Sequence, residues 1–269
     1  MNSEIDSAQI TRFGAFYLAE HRIRIMSKWK LIIGMLDFAN PLFYLVAVGI
    51  GIGVLVTENS GTSGTGGVSY LTFLAPALVA STAITSAIDE TMFPVLEGFK
   101  WRKTFYAANS APLTGRQIAQ GVFLAAMARV IFSVFIYWVI LLVFGILDIS
   151  SWRLPFIALF GGAAFGAVVI AVVGRVQNDD LFMSIFSRLV VTPLFLFSGT
   201  FFPLTSMPSF IQPLGWISPL WHSAELSRHF AYGYPLTSLM IFIHLTYLIL
   251  VTIIGMELAG RQFTRRLER

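Results

Sequence analysis

Three residues near the carboxyl end of the chain, His222, Glu225 and His229, have the spacing of a metal site on a helix. Steps of three and four residues place imidazole and carboxylate groups on one helical face, as zinc ligands require. With only four His and no Cys in the chain, thiolate ligands, cysteine nucleophiles and disulfides are excluded. The sequence also lacks GxSxG, HExxH and CxxC patterns. Because the three residues lie in a proline-rich segment between apolar stretches, we interpret them as polar anchors at a membrane surface, with a zinc site as the alternative.

The composition is that of a membrane protein. The 269 residues are 56% hydrophobic and 12% charged, and the mean hydropathy is +0.76. A typical soluble domain has about 25% charged residues, so most of this surface is suited to lipid. The net charge of +4 comes from basic residues that flank apolar stretches. This arrangement favours the positive-inside bias of membrane proteins over nucleic-acid binding.

Asp89, Glu90 and Arg129 lie inside apolar stretches that are long enough to cross a bilayer. An ionised group at the centre of such a helix costs at least about 2.5 kcal/mol, so it normally has a partner or a task. Arg129 follows Ile118, the start of its stretch, by about 11 residues, which places it about 16 Å deep. Glu90 is expected near the inner surface, so a direct pair with Arg129 requires staggered helices or a side chain that reaches towards the surface. The sequence is compatible with structural pairing and with a role in gating or substrate passage.

The elements that must position these residues are helices. Six apolar stretches predict an all-α polytopic membrane protein with a six-span domain over residues 31–259; the spans cover about 31–56, 70–93, 118–147, 154–174, 181–203 and 236–259. Asn40-Pro41 predicts a kink or break in the first span. Gly162 and Gly166, four residues apart, predict close helix packing in the fourth. Residues 58–69 form a flexible Gly/Ser loop without the Lys of a phosphate-binding loop.

The distribution of basic residues predicts the orientation. All of the 18 Lys and Arg residues except Arg129, Arg153 and Arg228 fall in segments that six crossings place on one side. Because basic loops are retained in the cytoplasm, we predict that this side and both termini face the cytoplasm. The chain is then predicted to lie in the cytoplasmic membrane. Residues 1–30 are predicted to form an interfacial helix with a bend, or else a solvated basic tail. Residues 260–269 are predicted to form a basic cytoplasmic tail.

Two segments between spans are unusual. The connector, residues 94–117, has four basic residues against one acidic residue and is rich in aromatic side chains, so it offers a cytoplasmic partner a surface. The outer segment, residues 204–235, is apolar and aromatic but is interrupted by four prolines. It is too interrupted for one straight span and too apolar for an ordinary loop. It therefore predicts short half-helices that form a re-entrant hairpin between spans five and six.

These two segments also carry a family resemblance. Residues 90–118 contain an acidic residue, the basic connector and the phrase Ala111-Pro112-Leu113-Thr114, and residues 197–233 contain FSG, FFP and PLWHSAELSR. Both resemble type-2 ATP-binding-cassette exporter permeases, in particular the branch of nodulation lipo-oligosaccharide and daunorubicin-type drug exporters. The resemblance implies that the connector docks a separate ATPase through Phe99, Lys100, Trp101, Arg102 and Lys103. It implies that the re-entrant hairpin contains Phe202, Pro203, Pro208, Pro213, Trp216, Pro219, His222, Glu225 and Arg228.

The same resemblance implies a half-transporter that pairs with a second permease subunit, in the simplest case an identical copy. ATP and magnesium would bind to the partner ATPase, with no cofactor in this chain and no nucleic acid. The cargo would be an amphiphile such as a glycolipid, a lipid-linked saccharide or a drug. Two other classes of function compete: an ion-coupled secondary transporter, and a membrane assembly subunit that transports nothing. The first normally has internal repeats, which the sequence does not show, and the second has no need for a proline-broken outer segment.

Overall fold

A computed structural model describes residues 2–52, 67–177 and 180–268 of the chain. Twelve α-helices are described, and no β-strand occurs among these residues. In chain order they are α1 Asn2–Ser27, α2 Lys30–Tyr44, α3 Tyr70–Thr91, α4 Phe93–Phe99, α5 Thr104–Ser110, α6 Gly115–Val143, α7 Leu154–Arg175, α8 Asp180–Phe186, α9 Thr192–Leu196, α10 Gln212–Ile217, α11 Pro219–Tyr232 and α12 Ser238–Leu267. The prediction of an all-α polytopic membrane protein is confirmed.

Within the described ranges, five helical segments are long and apolar enough to cross a membrane. They are Lys30–Val48, Tyr70–Phe99, Gly115–Val143, Ile149–Arg175 and Ser238–Leu267. They match five of the six predicted spans. The predicted Gly/Ser loop lies outside the described residues except at its end, residues 67–69.

The remaining predicted span, 181–203, is shorter and less regular than expected. Its apolar helical part is Leu181–Leu196, in which the π-helical turn Ser187–Val191 joins α8 to α9. Thr192 donates its hydroxyl to the carbonyl oxygen of Ser187, five residues earlier, and Pro193 has no N–H to continue a regular α-helix. Gly199 then adopts a φ of +69°, a left-handed conformation that turns the chain away from the helix.

The first span is also irregular at the predicted place. One turn after Pro41, the helix changes to π-helical geometry over Leu45–Ile52. A proline inside a helix removes one backbone hydrogen bond, and a π-turn is one way in which the following residues adjust.

Helices α3, α6, α7 and α12 form the packed centre, and α11 covers α3 and α7. Small residues set the close approach. A Cβ added at Gly162 would lie 2.9 Å from the carbonyl oxygen of Ala83, and one added at Gly166 would lie 3.3 Å from the Cβ of Ala87. The packing role predicted for both glycines of α7 is confirmed.

Helix α1 is continuous over Asn2–Ser27, and the bend within residues 1–30 lies at its carboxyl end. The chain turns only after it, at Lys28 and Trp29. One side of the helix packs against α6, where Leu18 touches the position of Gly121, while Phe13, Phe16 and Tyr17 on another side are exposed. An exposed aromatic stripe beside a packed one is suited to the membrane surface.

Helix α12 continues to Leu267, so most of the predicted basic tail, residues 260–269, is part of the last helix. Phe263 is fully buried against the connector. Arg266 donates through Nη1 to the carbonyl oxygens of Gly174, at 3.2 Å, and Val176, at 2.5 Å. These contacts stabilise the last two turns of the helix, which composition alone presents as a solvated basic segment.

Candidate functional site

The connector folds into two short helices with a tight turn between them. Helix α4 ends at Phe99, and α5 begins at Thr104. Lys103 in the turn has a φ of 54°, which is uncommon for a residue with a side chain. Phe99 and Phe105 meet on the underside, with ring centroids 4.9 Å apart, and Phe99 also lies 4.7 Å from the ring of Phe263 in α12. Such aromatic pairs hold their elements beyond simple burial of area.

Arg266 extends this attachment to a third helix. Its guanidinium carbon lies 4.1 Å from the centroid of the Phe99 ring, while its Nη1 holds the carbonyl oxygens at the end of α7. The connector is thereby attached to the ends of α7 and α12, as well as to α3, from which α4 continues. A force on the connector is therefore transmitted to three membrane helices.

The opposite side of the connector is open to solvent. Trp101 is 55% exposed, Arg102 and Lys103 are exposed, and Lys100 is half-buried. Arg102 forms an ion pair with Glu97 at 2.7 Å. Of the five residues expected to contact an ATPase, Phe99 does not fit: it is 2% exposed and supports the connector from within.

The phrase Ala111-Pro112-Leu113-Thr114 has a local physical role. Thr114 is the N-cap of α6: its Oγ1 accepts from the backbone N–H of Gln117, and Gln117 Oε1 accepts from the backbone N–H of Thr114. This reciprocal capping box marks the start of the third membrane helix. The phrase therefore fixes where the connector ends.

Arg129 pairs with Asp37 in the first span, and not with Glu90. Its Nη2 donates to Asp37 Oδ1 at 2.9 Å, and Ser133 Oγ donates to Asp37 Oδ2 at 2.7 Å. Both charged side chains are about nine-tenths buried, with 9% and 8% exposure. Sequence reasoning missed Asp37, although it is the one charged residue in the apolar run 31–52. That isolation is the signal by which it was recognisable.

Asp89 lines a polar cavity of about 370 Å³ between α2, α3, α6 and α9. The carboxylate of Asp37 reaches the same cavity from the first span. The other polar residues that line it carry hydroxyl or amide groups: Asn40, Tyr44, Ser81, Thr82, Thr85, Ser86 and Tyr137. Asp37 thus forms an ion pair with Arg129 and lines the same cavity as Asp89, so it links two of the predicted intramembrane charges.

Glu90 belongs to a second cavity, of about 430 Å³, between α1 and the connector. Arg22 of α1 lies across from it, and Glu97 and Arg102 line the same space. Burial lowers the pKa of the Arg22 guanidinium, while the negative charges of Glu90 and Glu97 oppose that shift. Glu90 therefore interacts electrostatically with α1 as well as with the Arg129 cluster.

The outer segment contains two half-helices, α10 and α11, that meet at Ser218. Pro213 and Pro219 lie in their first turns, where a missing N–H costs nothing. Phe202 and Trp216 are each 52% exposed, Pro208 is exposed and Pro203 is half-buried. Helix α11 packs against α3, α7 and α12. The predicted helical hairpin is thus present as a pair of short helices, the second of which is held by the bundle.

Arg228 is the centre of this attachment and is fully buried. Its Nη1 donates to Glu225 Oε1 at 2.8 Å, and its Nη2 donates to the carbonyl oxygens of Gly199, at 2.7 Å, and Thr200, at 3.0 Å. Its Nε donates to the carbonyl oxygen of Phe73 at 3.2 Å. All three nitrogens of the guanidinium therefore donate, and Arg228, which we expected in the re-entrant hairpin, joins three segments.

The residues with metal-like spacing contact different partners. His222 Nδ1 lies 2.7 Å from His244 Nδ1, and its Nε2 lies 2.9 Å from the carbonyl oxygen of Trp216. Glu225 pairs with Arg228, while His229 Nδ1 contacts the carbonyl oxygen of Tyr234. Across the described ranges, no group of three or more His, Asp or Glu side chains converges as metal ligands would. The contacts fit the interpretation as polar anchors, because each of these side chains holds the outer segment through a hydrogen bond or an ion pair.

Comparison with known proteins agrees with this architecture. The sequence model of a family described as ABC-2 type transporter matches residues 20–232. Nodulation protein J of Rhizobium leguminosarum bv. trifolii is 33% identical over 216 residues, or 73% of each chain. Nodulation protein J of Bradyrhizobium diazoefficiens is 30% identical over 217 residues, or 79% of this chain and 76% of that protein. The inner membrane transport permease YadH of Escherichia coli (strain K12) is 28% identical over 174 residues, or 62% and 64%.

The matched region contains the connector, the Asp37–Arg129 pair and the outer segment to the end of α11. Helix α12, which carries His244, Phe263 and Arg266, follows the matched region. The protein is a membrane-spanning transport permease, and the chain belongs to the ABC-2 type transporter family.

Proposed function

We propose that this chain is the permease half of an ATP-driven exporter in the cytoplasmic membrane. A separate ATP-binding-cassette ATPase docks on the connector, holds the ATP and magnesium, and supplies the mechanical work. The cargo is an amphiphile of the glycolipid, lipid-linked saccharide or drug type. Family membership supports the need for an ATP-binding partner, because no phosphate-binding loop occurs in this sequence.

The observation that carries the proposal is the construction of the connector. Its underside is buried in an aromatic cluster with α12, while Trp101, Arg102 and Lys103 face outwards. A rigid base with an exposed aromatic and basic surface is what a soluble motor requires to push on membrane helices without unfolding them. Docking there also agrees with the positive-inside bias, which predicts that this end of the bundle and both termini face the cytoplasm.

The second permease subunit is supported by the face of α2. Leu31, Met35 and Phe43 on this helix are 76%, 71% and 71% exposed, and the polar cavity lies beside the same helix. A polar cavity next to a face that a second copy can cover is suited to a substrate path between two subunits. In this arrangement the amphiphile keeps its polar part near the cavity and its apolar part in lipid.

The test is co-purification with the ATPase encoded beside the permease, followed by transport in vesicles. Charge reversal by Arg102→Glu with Lys103→Glu is expected to abolish ATPase capture and ATP-dependent transport. The matched control is Arg153→Glu, an exposed basic residue in the turn that we place on the other side of the membrane. Capture that survives the double reversal, with transport intact, would limit the connector charges to a topological role.

A further inference from the structure

Arg129 has hydrogen-bond donors that no described residue satisfies. A guanidinium carries five N–H groups, and here Nη2 serves Asp37 while the buried Nε and Nη1 have no partner. Buried polar groups are almost always paired, and an unpaired buried charge is costly. A chain that places such an arginine inside a membrane bundle is therefore expected to find a further acceptor for it.

A cavity of about 240 Å³ lies beside this arginine, between the end of α1, the start of α2 and the middle of α6. Lys30 contributes a second positive charge to its lining, and the described lining residues include no carboxylate. The remaining walls are largely apolar, formed by Ile23, Met26, Ile33 and Phe132. A small cavity with two cations and an apolar surround fits an anionic group carried on a hydrophobic molecule.

The position of the cavity specifies that molecule further. Lys30 is the first residue of the first membrane-crossing helix, so the cavity lies at the level where lipid head groups meet the apolar core. Ile23 and Phe132 are 39% and 45% exposed and continue the apolar wall outwards from the cavity. A lipid with its head group at Lys30 and Arg129 has a surface for its acyl chains along these residues.

We propose that this cavity binds the phosphate group of an anionic phospholipid. A small movement of the Arg129 side chain brings one of its two unpaired donors to a phosphate oxygen, and Lys30 adds a second positive charge. The bound lipid fixes the turn between α1 and α2 and completes the hydrogen bonding of the Asp37–Arg129 pair. This site is independent of the cargo path and of the ATPase, and uses the proposed function only for the assignment of the cytoplasmic side.

The experiment compares lipid binding by the purified full chain and by three single-residue variants. Native mass spectrometry and thermal shift are measured with added phosphatidylglycerol, with phosphatidylcholine and with inorganic phosphate. Lys30→Ala removes a charge from the cavity. Lys28→Ala is the control, because Lys28 is an exposed lysine in the same turn that does not line the cavity. Arg129→Lys keeps a cation for Asp37 but removes the unpaired guanidinium donors.

The proposal predicts that phosphatidylglycerol binds more tightly than phosphatidylcholine to the unaltered chain. Lys30→Ala weakens phosphatidylglycerol binding about fivefold, Arg129→Lys weakens it at least as much, and Lys28→Ala leaves it unchanged. Equal weakening by Lys30→Ala and Lys28→Ala would show general surface attraction and overturn the site. Protection by inorganic phosphate equal to that by phosphatidylglycerol would assign the site to free phosphate and overturn the lipid assignment. Failure of ATPase capture would leave these outcomes unaffected, so the two proposals are tested separately.

Discussion

Arg228 donates from Nε to the carbonyl oxygen of Phe73, and its guanidinium carbon lies 3.8 Å from the centroid of the Phe73 ring. One side chain of α11 therefore makes two kinds of contact with one residue of α3. Together with the carbonyl oxygens of Gly199 and Thr200, this arrangement fixes the second half-helix of the outer segment to the second span. These contacts hold the outer segment against the bundle.

Replacement of Arg228 by Lys is expected to destabilise the permease by about 3 kcal/mol, because an ammonium group cannot serve four acceptors in this geometry. The measurement is the unfolding midpoint of the purified protein in detergent. Arg153→Lys provides the control, since that side chain is exposed and should change stability by less than about 0.5 kcal/mol. Equal midpoints for the two variants would contradict the role given to Arg228.

The Asp37–Arg129 pair predicts a non-additive mutant cycle. Asp37→Asn and Arg129→Gln each leave a buried charge without its partner, and each is expected to cost about 3–5 kcal/mol and to lower folding yield and transport together. The double variant should lose markedly less than the sum of the two single losses. Asp89→Asn is the comparison: if Arg129 depended on Asp89, that change would be as damaging as Asp37→Asn. Normal yield with altered substrate preference in Arg129→Gln would instead favour a direct role in substrate passage.

Replacement of each of two membrane-helix glycines by alanine should have a different effect on stability. A Cβ at Gly162 meets the carbonyl oxygen of Ala83 at 2.9 Å, so Gly162→Ala forces α3 and α7 apart and should cost about 1–3 kcal/mol. A Cβ at Gly34 of α2 has no neighbour within 4 Å, so Gly34→Ala should be neutral or stabilising by up to about 1 kcal/mol. Thermal unfolding of the two variants side by side checks the helix approach. The packing assignment fails if Gly162→Ala is as well tolerated as Gly34→Ala.

Two aromatic residues of the connector are expected to have different roles: Phe99 supports the folded connector, and Trp101 contacts the ATPase. Phe99→Ala leaves a void in the cluster with Phe105 and Phe263 and should lower stability by about 3–5 kcal/mol. Trp101→Ala removes an exposed side chain, so stability should hold while ATPase capture weakens. Unfolding and co-purification are measured on the same preparations. Unchanged capture by a stable Trp101→Ala variant would remove Trp101 from the docking surface.

Cysteine labelling can test how deeply the outer segment lies in the membrane. The chain has no Cys, so Phe210→Cys and Trp216→Cys each supply a single reactive thiol. Because the native side chains are apolar and 79% and 52% exposed, we expect them to lie in the outer leaflet. Membrane-permeant reagents should then label both positions better than impermeant ones. Rapid and equal labelling by both reagents would identify an ordinary aqueous loop.

The span pattern, the connector and the outer half-helices were predictable because each depends on local composition. Runs of apolar residues mark membrane helices, and prolines mark breaks. The broken form of the segment 181–203 was harder to predict, since Thr192 and Pro193 redirect hydrogen bonds within a run that is mostly apolar. The helical continuation through residue 267 was also hard to predict, because burial of Phe263 depends on partners distant in sequence.

The charged contacts were the least predictable feature. Asp37 and Arg129 are 92 residues apart, and Arg228 is 155 residues from Phe73. Local spacing cannot identify such partners, because several acids compete for each arginine and the stagger of the helices decides among them. The first turns of α6 pack along α1, and Arg129 lines the same cavity as Lys30 at the start of the first span.

The most direct test reconstitutes the permease with its ATPase in vesicles and follows cargo movement while the energy source is varied. With ATP and magnesium present and ion gradients dissipated, the cargo should cross the membrane, and a non-hydrolysable nucleotide should stop it. Transport by the permease alone, driven by an imposed ion gradient with no nucleotide present, would contradict the account.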